Sequence, residues 1–321
     1  MREASYLAQN EKKWRKIEEL LQKNHRFSAD EAANLYVELT DDLAFAQTNY
    51  PESPTTKYLN GLALDIFRSI NRSRKIRGKA LIDFWRYEIP KAVAENHRIM
   101  GFVFLFFLFF TFIGAVSTHY DESFPRIVLG DAYVDQTLEN IANDDPMGIY
   151  KSMGRESMFW GITLNNLRVS GLIFASGVFF CLGSFYLLYT NAMMLGCFQY
   201  FFIARGLFVD SFLSIWIHGT IEISCIIIAG TAGVVMGKGY LFPATLSRKQ
   251  AFIKSAGSGI KIFIGILPLI ILAGFLESFI TRLTDSPAIF RLGIIILSTV
   301  FILWYFVFYP IQLKKKKSFE P

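Results

Sequence analysis

Ile99–Val116 reads IMGFVFLFFLFFTFIGAV, and this run decides the fold class. A helix crossing ~30 Å of hydrocarbon at ~1.5 Å per residue needs about 20 predominantly apolar residues. Thr111 is the one polar side chain in the run, and Phe102, Phe104, Phe106, Phe107, Phe109, Phe110 and Phe112 put rings on every face. A span with no small polar face suits lipid better than a bundle centre.

Further runs follow at Leu167–Tyr189, Met193–Phe208, Ser211–Met236, Ile260–Ile280 and Ile289–Gln312. Met193–Phe208 is apolar but reaches only ~24 Å at the helical rise. Charge decides whether it crosses, because Lys and Arg collect in cytoplasmic loops. The stretch 238–261 carries Lys238, Arg248, Lys249, Lys254 and Lys261 without an acid, and the tail carries Lys314–Lys317. The stretch 118–166 is acidic, with Asp121, Glu122, Asp131, Asp135, Glu139, Asp144, Asp145 and Glu156 against Arg126, Lys151 and Arg155. These loops fall on consistent sides only if Met193–Phe208 crosses, with Thr190-Asn191 as a tight inner turn. The fold class expected is therefore all-α: a polytopic membrane protein of about six spans, both termini in the cytoplasm, in the cytoplasmic (inner) membrane. Within the acidic segment, Val128–Ala142 is expected to be helical.

Residues 1–97 have a different solvent preference, hidden in the averages of 52% hydrophobic, 19% charged and mean hydropathy +0.34 over 321 residues. Trp14, Ile17 and Leu21 recur at helical spacing and predict an amphipathic helix over 8–24. Ser28 and Glu31 form a capping-box pattern before Leu35, Leu39 and Leu43. Pro51 and Pro54 mark a break, and Tyr58, Leu62, Ile66 and Ile70 predict a third helix. The domain division expected is a cytoplasmic basic helical domain over 1–97, a first span over 98–117, an acidic extracytoplasmic segment over 118–166, a bundle of about five further spans over 167–313, and a basic tail over 314–321.

The third helix runs into Arg68, Arg72, Arg74, Lys75, Arg77 and Lys79 with no acid among them. A solvated helix face on the cytoplasmic side accounts for such a run. It also suits anionic lipid headgroups, at about 1 kcal/mol per basic residue near the surface. No nucleic-acid reading motif accompanies it. No secretory signal is expected, since the first apolar run begins far from residue 1. Cys181, Cys197 and Cys225 sit in apolar runs and read as buried small hydrophobes.

Within Ser211–Met236, His218 and Glu222 are four apart and share a helical face, and Glu277 lies towards the outer end of another span. Ionisable residues in a span usually face the bundle interior. Three readings compete: a hydrogen-bonded lock between helices, a proton- or substrate-linked pocket, and a metal site. No metal site is expected, because His218-Gly-x-x-Glu222 is not the two-histidine zinc pattern. Ala229, Gly233 and Gly237 make a small-residue stripe on the same helix that lets a neighbouring backbone approach, which makes this helix central. No nucleophile elbow, phosphate loop or dinucleotide fingerprint is present; Gly237-x-Gly239 lacks the rest of one. No cofactor is expected.

Asn165-Asn166-x-Arg168, Phe174-Ala175-x-Gly177, Asn191 followed by Gly196, His218-Gly219-x-x-Glu222 and Glu277-x-Phe279-Ile280-Thr281 resemble, in that order, the stage II sporulation protein M family. Trp14, Asp42-Leu43-Ala44, Tyr50-Pro51-x-Ser53 and Tyr58-Leu59-Asn60 are similar to its long-form members, which carry a cytoplasmic helical domain. In the sporulation branch the resemblance implies a membrane scaffold working with a peptidoglycan transglycosylase and an amidase-endopeptidase. The expected function is thus a non-enzymatic scaffold of an envelope complex, in contact with the lipid bilayer, with other membrane or envelope proteins and with a second copy of itself as a dimer. The alternative is a transporter or lipid-handling permease component using His218, Glu222 and Glu277; an intramembrane metal hydrolase is the remote third.

Overall fold

The computed structural model describes residues 3–22, 29–72, 78–143, 145–146, 148, 154–283 and 286–317. Every regular element among them is helical. The chain divides into two compact units, Met1–Ile82 and Asp83–Pro321.

The first unit is built from α1 (Glu3–Gln22), α2 (Ala29–Asn49) and α3 (Pro54–Arg72). Their apolar stripes converge on Trp14, Ile17, Leu39, Ala46, Leu59, Leu62 and Ile66, all buried. Pro54 opens α3, where a missing N–H costs nothing, and Ser53 Oγ accepts the Thr55 N–H at 3.0 Å. α1 begins at Glu3 rather than near residue 8, because its first turn is tied to the start of α3. Thr55 Oγ1 donates to Glu3 Oε1 at 2.7 Å, and Ser53 Oγ donates to the same carboxylate oxygen. Ser28 of the expected capping box lies outside the described residues, as do Arg74, Lys75 and Arg77 and the side chains of Arg72 and Lys79. Arg68 is exposed and pairs with Asp65 at 3.4 Å.

The second unit takes in a stretch that the sequence groups with the first. It begins at the last residue of a short helix, α4 (Gly78–Asp83), and continues through a π-helical turn, Phe84–Glu88, and α5 (Ile89–Glu95). Ile89 is fully buried, and a Cβ added at Gly265 would lie 2.9 Å from it. Tyr309 donates its hydroxyl to Arg86 O at 2.9 Å, and Lys261 Nζ pairs with Glu88 at 2.6 Å. Residues 83–95 therefore belong with the apolar bundle, not with the front domain.

Asn96 breaks the chain into α6 (His97–Tyr120). Then come α7 (Phe124–Leu129) and α8 (Asp131–Ala142), separated by Gly130 at φ +88°, a region that favours glycine. The helix expected over Val128–Ala142 is split there. Arg126 ties the two together through Asp131 at 3.1 Å and Asp135 at 2.7 Å. Val134 of α8 joins a small core with Phe201, Phe202 and Ile215, which caps the adjoining ends of two long helices.

Those two are α10 (Leu182–Ile203) and α11 (Phe208–Leu241), which stand with α9 (Arg155–Ala175), α12 (Arg248–Phe275) and α13 (Ala288–Leu303). π-helical turns, Leu276–Ile280 and Trp304–Phe308, extend the last two, and α14 (Tyr309–Lys317) closes the chain. The breaks differ from those expected. Thr190 and Asn191 lie inside α10, where both side chains bond back to Leu187 O. The chain turns instead at Phe179–Cys181, with Phe180 and Cys181 at φ +53° and +66°. The runs expected as Leu167–Tyr189 and Met193–Phe208 thus redistribute into α9 and α10, helices of 21 and 22 residues.

Contact register gives the helix directions. Phe106 meets Phe185, Phe110 meets Tyr189 and His119 meets Tyr200, so α6 and α10 run parallel. Gly259 meets Ala232 and Cys225 meets Ile266, so α11 and α12 form an antiparallel hairpin. Ser184 donates to Ile173 O at 2.6 Å across the elbow, so α9 and α10 run back on each other.

Four described helices are long and apolar enough to cross a membrane: His97–Tyr120, Phe208–Leu241, Arg248–Ile280 and Ala288–Lys314. With the all-helical architecture this makes the chain an all-α membrane protein. α9 and α10 fall outside those four, and both carry asparagines on the faces that line the site described next. In its most apolar window α11 is 61% buried and α6 only 17%, so α11 is the centre and the phenylalanine-rich helix the periphery.

Candidate intramembrane polar site

The small-residue stripe of α11 is what lets the α9–α10 elbow approach. Ala229 is fully buried, and Cβ atoms added at Gly233 or Gly237 would collide with Ser184 Oγ and Gly177 O respectively. Cys181 is buried and its thiol points at Val234 O, 3.4 Å away. All three cysteines are buried and unbridged. Backbone-to-backbone packing of this kind needs glycine because any side chain would hold the helices apart.

From this elbow α9 and α10 flank a cavity of about 220 Å³. Asn165, Asn166 and Ser170 line it from α9, Asn191 and Met194 from α10, and Glu222 with Cys225 from α11. A second hollow of about 440 Å³, lined by Phe124, Ile127 and Val128 of α7 and by Tyr189, shares Asn191 and Met194 with the first. Both hollows are walled mainly by apolar surface, and the inner one adds the convergent polar groups Asn165, Asn166, Asn191 and Glu222.

His218, Glu222 and Glu277, chosen from spacing alone, come together beside this recess. Their nearest ligand atoms all lie within 4.8 Å of one another. His218 is 4% exposed. Its Nε2 is 3.8 Å from Glu277 Oε1, and its Nδ1 is 3.0 Å from Thr281 Oγ1. Thr281 in turn donates to Leu276 O at 3.3 Å. When the Thr281 proton goes to Leu276 O, its oxygen accepts from His218 Nδ1–H, and the neutral ring then carries its lone pair on Nε2, on the side of the carboxylates. The π-helical turn at Leu276–Ile280 aims Glu277 at α11; such turns inside α-helices recur at functional sites.

Several polar groups around the cluster are incompletely bonded. Thr163 Oγ1 and Ser278 Oγ are buried without a partner. Asn166 Nδ2 approaches the Glu222 carboxylate without completing a hydrogen bond of normal geometry. Thr163, Asn166 and Ser170 share a face of α9, and Gly274 and Ser278 share a face of α12. A Cβ added at Gly274 would collide with Thr163 Oγ1. Leaving buried polar groups unbonded costs about 1–3 kcal/mol each, so their collection at one place needs an occupant or a function.

Spacing does not assign Asn166, Asn191, Thr281 or Ser278 to this site. Their signal is a polar side chain within or at the end of an apolar run, and its meaning depends on which face of the helix it occupies.

The sequence model of the stage II sporulation protein M family matches residues 103–282, more than half of the chain. The chain belongs to this family. The match begins in α6 and ends just past Thr281, so it contains the whole cluster and the elbow. A second model, a domain of unknown function (DUF8413), matches residues 4–72 and so covers α1 to α3 of this family member. No curated protein and no solved structure matches the chain. Family membership makes it a membrane protein of the sporulation type.

Proposed function

We propose that the protein is a multi-pass membrane component that draws the polar part of a membrane lipid into the recess between α9 and α10. The observation that carries this reading is the recess itself: a mainly apolar cavity of about 220 Å³ with Asn165, Asn166, Asn191 and Glu222 converging on it, which shares Asn191 and Met194 with a larger hollow. Ligand sites combine apolar walls with a few convergent polar groups. The inner volume suits a headgroup fragment and its waters rather than a whole lipid, with acyl chains left against Phe124, Ile127 and Val128. This is the permease-like alternative of the sequence reading.

The charge pattern supports six crossings in the cytoplasmic membrane with both ends inside, since Lys238 to Lys261 and Lys314–Lys317 then share a side. A reporter fused after Lys317 should read cytoplasmic, and an external signal would overturn this orientation. The recess would then open towards the outer half of the bilayer.

The test is photolabelling in nanodiscs by a phospholipid with a photoreactive headgroup. Peptides containing Asn191–Met194 and Glu222 should be labelled, although both lie well inside their helices. Labelling confined to helix ends would overturn the proposal.

A second reading, the envelope scaffold, draws on a different observation. Val37, Leu64 and Phe67 are 57%, 46% and 50% exposed on the first unit, a surface that suits a protein partner or a second copy. Gentle extraction and crosslinking should then recover a dimer or an envelope protein, and a lone monomer would count against it. Neither reading requires enzymatic activity.

A further inference from the structure

Two glutamates and a histidine within one membrane cluster present an electrostatic question. His218 Nδ1 lies 3.0 Å from Thr281 Oγ1, and Nε2, on the other side of the ring, lies 3.8 Å from Glu277 Oε1. Glu222 completes a triangle of ligand atoms no more than 4.8 Å across. Two carboxylates and an imidazole thus converge at near-ligand spacing in a low-dielectric interior, where a cation among them would offset the acids' charge.

We propose that His218, Glu222 and Glu277 bind a divalent transition-metal cation of the zinc class. Four observations converge. The donor set, one imidazole nitrogen and two carboxylate oxygens, is one that zinc accepts, leaving a fourth position open. The imidazole disfavours calcium and magnesium, which prefer all-oxygen surroundings. The far side of the ring is already oriented by Thr281, the arrangement by which metal-binding histidines are usually held. Finally, two carboxylates and one dication sum to zero charge, which removes the objection to two acids in an apolar core.

The triangle is wider than a loaded site. Ligand atoms about 2.1 Å from a tetrahedral ion lie about 3.4 Å apart. The longest separation here must close by roughly that difference, a movement within the reach of two glutamate side chains whose residues are only partly buried. The π-helical turn carrying Glu277 is the element positioned to adjust. The departure from the two-histidine zinc pattern is resolved by geometry: the third ligand comes from another helix, not from the next turn of the same one.

The open coordination position would face the polar groups that now lack partners, Asn166 Nδ2 among them, and would favour an anionic oxygen such as that of a lipid phosphate. That last step rests on the lipid-handling reading, whereas the metal site itself does not.

The experiment uses the full-length protein in detergent without added lipid, stripped with a chelator and titrated with zinc against a chromophoric competitor. One zinc per chain is expected by competition and by elemental analysis. Glu277→Gln and His218→Ala should each weaken binding by at least about 100-fold. Thr281→Val, which only orients the ring, should weaken it by about 10–100-fold. Glu139→Gln on α8 should leave it unchanged. Cobalt in place of zinc should give the visible bands of a four-coordinate ion in the wild type and lose them in Glu277→Gln. If His218→Ala does not fold, Glu277→Gln and Thr281→Val carry the test. Absence of stoichiometric zinc in the wild type, or its retention in Glu277→Gln, overturns the metal site. Headgroup labelling in the metal-free protein is a separate readout, so each proposal fails on its own.

Discussion

Asp42 in the first unit and Glu222 in the membrane unit are both acids among apolar side chains, yet their surroundings differ in kind. Around Asp42 the bonding is complete. Trp14 Nε1 donates to its carboxylate at 2.8 Å, Lys13 pairs with it, and Tyr6 donates its hydroxyl to its backbone oxygen at 2.9 Å. Around Glu222 an amide, two hydroxyls and a cavity are left open. A closed polar network locks helices in register, and its value lies in what it holds together. An open network next to a cavity is arranged for a group that arrives. The glue reading of His218, Glu222 and Glu277 fits the first pattern, and the proposed lipid and metal sites fit the second.

The comparison can be broken or sharpened by mutation. Trp14→Ala should have the largest effect, about 3–5 kcal/mol, because it empties the centre of the first unit and strips Asp42 of a donor. Hydrogen exchange should show lost protection in α1 to α3 with α11 unchanged; loss in both units would mean that they unfold together. Gly237→Val should cost about 1–3 kcal/mol by forcing the elbow off α11, read as a lowered melting temperature in detergent. Gly61→Ala, with nothing within 4 Å of the new carbon, should not destabilise.

The sharper contrast is between the acids. Asp42→Ala should cost about 1–3 kcal/mol, since the Trp14 donor then has no acceptor. Glu222→Gln should cost under about 1 kcal/mol, in line with intramembrane hydrogen bonds generally, while abolishing headgroup labelling. Equal destabilisation by the two, with labelling intact in Glu222→Gln, would return the cluster to a structural lock.

The smallest effect is at Glu3. Hydrogen bonds from Ser53 and Thr55 hold its carboxyl below its ordinary value of 4.5. A depressed acid contributes stability that is fully present above that ordinary value and is lost as pH falls through the folded one. Glu3→Gln should flatten the acid side of the first unit's stability profile; an unchanged profile would mean that Glu3 does not contribute.

Much of the site was legible because helical periodicity is local. His218 and Glu222 share a face by spacing, and Ala229, Gly233 and Gly237 make a stripe whatever packs on it. Helix breaks were less legible. The positive-φ residues of the elbow, Phe180 and Cys181, are of types that seldom adopt that conformation, so the flanking Gly177 and Gly183 do not locate the turn. Thr190-Asn191 looks like a turn, but both side chains are satisfied by the helix's own Leu187 carbonyl.

The 18-residue run at Ile99–Val116 by itself determined that this is a membrane protein, because the transfer of so many apolar side chains into lipid depends on composition and length, not on neighbours. Where the chain reverses and which polar residues meet were decided by tertiary structure. Glu277 reaches His218 across a span of sequence that no local rule crosses, through the π-helical turn that aims it and the small-residue packing that brings the helices together.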